Sequence, residues 1–100
     1  MEVIINQKGQ ETLVGLVGRL DTPASIEIAP QIEGLKEATS GTVILDCKDL
    51  EYISSSGLRL FLGLRKAAAE KGGKIVVSNI SPEIRSVFMM TGFLNLFEIR

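Results

Sequence analysis

Thr42-Val-Ile-Leu-Asp-Cys-Lys-Asp-Leu-Glu-Tyr-Ile-Ser-Ser-Ser-Gly-Leu-Arg59 carries the chain from an apolar run, through three consecutive serines, into a helical pattern. Thr42 to Asp46 has the length and β-branched content of a buried strand. From Leu58 to Lys71 the apolar residues recur with a helical period. At 100° per residue, Leu60, Phe61, Leu64, Ala67 and Ala68 share one face, and Arg59, Gly63, Lys66 and Glu70 form the opposite stripe. Leu62 falls near the border between them. Ser54, Ser55 and Ser56 therefore sit where a strand ends and a helix begins. Open α/β folds collect functional groups there, outside the carboxyl ends of the strands. A helix N-terminus also offers free backbone N–H groups and a partial positive charge, so it tolerates a phosphate well.

Working outward, Glu2–Gln7 and Glu11–Val17 read as strands joined at Lys8-Gly9-Gln10, which makes a hairpin. Gly18 to Pro23 breaks the pattern. A helix started at Pro23 would hold Pro30 in its interior, where a hydrogen bond is lost and the ring clashes. The expectation is a helix from Pro30 to about Ala38, with Ile32 and Leu35 facing the core and Ile28 below them. On the other side, Gly72-Gly73 ends the serine-led helix and Lys74–Ser78 forms a strand. Ser81-Pro82-Glu83 opens a helix that buries Ile84, Val87 and Phe88 and stops at Gly92. Leu94–Ile99 closes as a strand or apolar tail. This β-β-α-β-α-β-α-β order predicts a single domain over 1–100 of the mixed α/β class. Its sheet should be largely parallel, with four to five strands, flanking helices and an N-terminal β-hairpin at one edge.

Composition removes several functions. The net charge of −1 and an aromatic content of 5% offer nucleic acid neither a basic field nor a stacking platform. No segment is apolar and long enough to insert in a bilayer, and Met1-Glu-Val-Ile-Ile-Asn6 is no signal peptide. The lone Cys47 suits a reducing cytoplasm and reads as a small core residue. Histidine is absent, so a Ser-His-acid triad and the usual zinc or copper sites are excluded. No enzyme activity, metal or cofactor is expected. Gly72-Gly73 precedes a strand and so is no phosphate loop. Asp46 and Asp49 could resemble a phosphoacceptor site. A receiver domain, however, needs an acidic pair after its first strand, where Lys8-Gly9-Gln10 stands. They read as polar ends of a strand and a turn. The serines have a plain reading too, since Ser54 or Ser55 could do nothing but cap the helix. Asp21-Thr22 likewise reads as a turn and cap, or else lines the same crevice.

The stretch Asp46 to Arg59 resembles the signature of STAS domains, the family of bacterial anti-sigma factor antagonists. Gly18-Arg-Leu-Asp-Thr22 resembles the family's glycine–x–leucine–aspartate turn, and Met90 to Ile99 its closing segment. The resemblance implies a STAS-like fold and a part in partner switching. The antagonist binds an anti-sigma factor that is also a serine kinase, which frees a sigma factor for transcription. Phosphorylation of one serine loosens the complex, and a metal-dependent serine phosphatase restores it. Aligned residue by residue, the acceptor falls on Ser55, followed by Ser56, Gly57 and Leu58. The best-known antagonists carry aspartate where this chain has Ser54, which leaves Ser54 as the second choice of acceptor. The docking surface is expected to combine Asp21, Thr22, the serine loop, Arg59 and Leu62, on a protein that is a monomer when free. The same resemblance admits another role, as the cytoplasmic STAS subunit of a membrane lipid transport system.

Overall fold

β1 (Glu2–Lys8) and β2 (Glu11–Leu20) form the expected antiparallel hairpin, with Ile5 opposite Val14 and Lys8 opposite Glu11. These pairings belong to a computed structural model that describes residues 1–100. Helix α1 (Thr22–Leu35) follows, then a 3-10 segment at Lys36–Ser40, β3 (Thr42–Asp46) and a short β4 (Leu50–Ile53). The serine-led helix is α2 (Ser55–Lys71), followed by β5 (Lys74–Ser78), α3 (Pro82–Met90), a 3-10 turn at Phe93–Leu96 and β6 (Glu98–Ile99). The strand order is β1-β2-β3-β5-β6, with β4 paired to β2 off this path. Every pairing except β1–β2 is parallel. The α/β class, the hairpin and the largely parallel sheet are as the sequence predicts, with one further strand, β4, within the six.

Two local differences shape the functional end. β2 does not stop at Val17 but runs on to Leu20. Gly18 adopts φ 108°, a conformation that side-chain-bearing residues rarely hold, and the register shifts between Gly18 and Arg19. β2 pairs with β3 only as far as Gly15, and from Gly18 on it pairs with β4, where Glu51 is the extra residue of the shift. Helix α1 also starts eight residues earlier than expected, at Thr22, and takes Pro30 inside it. The Asp21 carboxylate caps it, accepting from the Ala24 N–H at 2.9 Å, and Pro23 sits in the first turn, where a missing N–H costs nothing. Pro30 is exposed, and the turn whose carbonyl it orphans, at Ile26, faces solvent. Water can satisfy that carbonyl, so the penalty expected for an interior proline is reduced. Ile28, Ile32 and Leu35 face the core as expected.

The crossovers β2–α1–β3, β3–α2–β5 and β5–α3–β6 all step in one direction. With the usual right hand they place all three helices on one sheet face. There Val14, Leu16, Val43, Leu45, Ile75 and Val77 pack against the helices in a single core cluster. Phe61 of α2, Phe88 of α3 and Phe97 before β6 meet with ring centroids 6.0–6.3 Å apart. The other sheet face has no helix on it. No helix is long and apolar enough to cross a membrane.

Cys47 follows β3 fully buried, and burial, with a lesser push from Asp46, drives its thiol up to about 12. The unfolded chain therefore releases a proton above about pH 9 that the folded chain keeps. This contribution to stability is whole below pH 9 and declines as the pH rises. Urea unfolding of the parent and of Cys47→Ala at about pH 8 and about pH 10 checks it. The parent should lose more stability across that interval than the variant.

Candidate functional site

The site begins with two helix starts held side by side. Leu20 at the end of β2 is paired with Ile53 at the end of β4, and the Ser54 N–H donates to the Leu20 carbonyl at 2.8 Å. The next residues, Asp21 and Ser54, are the N-caps of α1 and α2. Both helices thus open at the carboxyl ends of neighbouring strands, and their N-terminal dipoles reinforce each other there.

The three serines have different environments. Ser54 is buried, and its Oγ accepts from the Gly57 N–H at 3.2 Å. Its own carbonyl accepts from the Leu58 N–H at 3.0 Å. Serine and aspartate cap helices about equally well, so serine at this position keeps the cap while omitting one negative charge. Ser55 is exposed as the first residue of α2, and Ser56 is half-buried. The Ser54 hydroxyl is engaged in the buried cap, and Ser55 is the exposed serine of the three. Gly57 and Leu58 are buried under the loop. A Cβ on Gly57 would come within 2.7 Å of Leu20 Cγ and 3.0 Å of Ile53 Cγ1. Only glycine lets α2 start this close to the paired strand ends.

The remaining candidates spread around this crevice. The Asp21 carboxylate is held by the α1 cap, while Thr22 beside it is exposed. Arg59 is exposed and forms no ion pair. It lies four residues after Ser55, and Leu62 seven after, so all three share one stripe of α2. Leu62 is half-buried and packs on the margin of the core. Asp46 is outside the crevice. Its Oδ1 accepts from the Lys48 N–H and from Asn79 Nδ2, both at 3.0 Å, which is the strand-ending role its sequence suggests.

The structure adds residues that the sequence pattern did not single out. Arg19 lies over the Tyr52 ring at 4.6 Å, as register partners on β2 and β4, next to the serine loop. Ile26 stands 73% exposed, one turn along α1 from Thr22. Arginine and tyrosine are side chains that anchor protein contacts, and Ile26 adds exposed apolar surface. The chain has no histidine to activate a serine, and the Ser55 hydroxyl is exposed at the start of α2.

The family model of the STAS domain matches residues 2–100. The anti-sigma F factor antagonist of Paenibacillus polymyxa is 30% identical over 88 residues, covering 87% of this chain and 75% of that one. BtrV of Bordetella bronchiseptica is 40% identical over 57 residues, 57% of this chain and 49% of its own length. Among solved structures, the anti-sigma factor antagonist SpoIIAA in its unphosphorylated form superposes with a TM-score of 0.76 at 24% identity, covering 99% of this chain and 87% of that one. SpoIIAA in its phosphorylated form gives 0.75 at 24% identity, over 99% of this chain and 91% of that one.

Proposed function

The chain belongs to the STAS-domain family, and from that membership we propose that it is an anti-sigma factor antagonist switched by phosphorylation of Ser55. It works by binding and has no catalytic role. Its partner is an anti-sigma factor that is also a serine kinase, and capture of that partner frees a sigma factor. A metal-dependent serine phosphatase returns the modified protein to its binding form. The observation that carries this reading is the exposed Ser55 hydroxyl at the start of α2, directly after a buried capping serine and beside the α1 cap. A relative named as an anti-sigma F factor antagonist, alignable over most of its length, supports it. So does SpoIIAA, which occurs in both phosphorylated and unphosphorylated forms.

Affinity capture from native cells tests the reading. The tagged protein should retain an ATP-dependent serine kinase of the anti-sigma type, and that kinase should place one phosphate on Ser55, mapped by mass spectrometry. Retention of a membrane transport complex, or a phosphate confined to Ser54 or Ser56, would contradict it.

The docking surface runs from Arg19 and Tyr52 through Thr22 and Ile26 to Ser55, Arg59 and Leu62. Leu62→Ala should reduce partner affinity by roughly tenfold, the loss expected of a secondary apolar anchor. Because Leu62 also packs on the core margin, a small fall in melting temperature accompanies it. Affinity and melting temperature measured on the same variant separate the two roles. An unchanged affinity with a clearly lower melting temperature would make Leu62 a core residue alone.

A further inference from the structure

The open edge of the sheet at β1 is long and undefended. Its seven residues contain no proline, and the strand's outer side has no neighbour. The opposite edge differs. β6 has two residues, and Glu98 on it joins Lys74 and Arg100 in ion pairs. On β1, Ile4 and Ile5 are 52% and 46% exposed, one on each face of the strand. Its two ends carry opposite charges, Glu2 and Lys8, both exposed. Neither is in an ion pair, even though Glu11 stands across the hairpin from Lys8.

We propose that β1 is a self-association edge, pairing antiparallel with β1 of a second copy about a two-fold axis through Ile5. An axis perpendicular to the sheet joins residues that point to the same face, so paired positions are both even or both odd. Centred on Ile5, it places Glu2 opposite Lys8 at both ends of the seam. Val3 then faces Gln7, Ile4 faces Asn6, and Ile5 meets its own copy. The next allowed registers lie two positions away in sum. They leave residues unpaired and set Lys8 opposite Ile4, or Glu2 opposite Asn6. Charge complementarity therefore selects both the occupant and the register. The pairing supplies the backbone hydrogen bonds that the edge lacks and covers Ile5 against Ile5. It also leaves the functional crevices free: β2 runs in opposite directions in the two copies, so their serine loops point away from each other. The free protein is then a concentration-dependent dimer, a departure from the monomer expected of the sequence. Pairing at β1 does not involve the phosphorylation switch.

Sedimentation equilibrium of the full chain over rising concentration tests it. The average mass should climb from one chain toward two. Glu2→Lys alone and Lys8→Glu alone each turn two attractive seam pairs into two repulsive ones, and each should weaken association about tenfold. An equimolar mixture of the two variants should associate as well as the parent, because every seam pair again joins lysine to glutamate. Circular dichroism of each variant should match the parent, since both positions are exposed. A protein that stays monomeric at its highest attainable concentration, or a dimer indifferent to both substitutions, overturns the proposal. So does a mixture that associates no better than its components.

Discussion

Replacing Phe61 by alanine should lower the unfolding free energy by about 3–5 kcal/mol, the range for removing a buried phenylalanine. Phe61 is fully buried, and its ring meets Phe88 edge-on at 6.1 Å and Phe97 at 6.3 Å. One side chain thus joins α2 to α3 and to the segment that leads into β6. The rings are too large for their neighbours to fill the space left behind, so a cavity term adds to the lost transfer energy. Domains of this size are stable by only about 5–15 kcal/mol, so the variant should unfold at a markedly lower denaturant concentration. A loss below about 1 kcal/mol would mean that the aromatic cluster does not hold α2 in place. Binding should fall only as far as the folded fraction falls, because Phe61 is fully buried and offers a partner no surface.

Phosphate on Ser55 should produce the largest change in binding. It adds nearly two negative charges and three acceptor oxygens to a hydroxyl exposed at the crevice. At an interface packed around a neutral hydroxyl, that bulk and charge must be desolvated or expelled. A penalty of about 3–4 kcal/mol corresponds to several-hundred-fold weaker binding. The fold has reason to keep its stability. The phosphate stands at the α2 N-terminus, where the helix dipole favours it, and Arg59 is one turn away with no competing carboxylate. Its melting temperature should therefore stay level or rise slightly. Ser55→Asp carries one charge and less bulk, so it should weaken binding in the same direction but by less.

The strand–serine–helix junction was legible because three signals agreed there: an apolar run, capping residues and a helical period. The same holds for Ser81-Pro82-Glu83, where Ser81 caps α3 through the Ile84 N–H. Helix α1 departs from the expectation because proline statistics describe an average helix interior, whereas Pro30 faces water and the Ile26 carbonyl it orphans can be hydrated. Ile26 becomes part of a surface only once the helix starts at Thr22. β4 was missed because Leu50–Ile53 is four residues long and has little pattern of its own. It is a strand only because the last residues of β2, distant in sequence, run past β3 to pair with it, and the Arg19–Tyr52 contact depends on that pairing in turn. Ser54 shows a further limit. Sequence spacing could not separate a buried capping serine from an exposed one, and the difference lies in burial and in the hydrogen bond to Gly57.

The most direct measurement is a calorimetric titration of the captured anti-sigma kinase with unmodified protein and with protein phosphorylated on Ser55 alone. Melting curves of both forms should be recorded beside it. The expected result is several-hundred-fold weaker binding of the phosphorylated form at an equal or slightly higher melting temperature. Equal affinities of the two forms, or a loss of binding that simply follows unfolding of the phosphorylated domain, would contradict a switch built on Ser55.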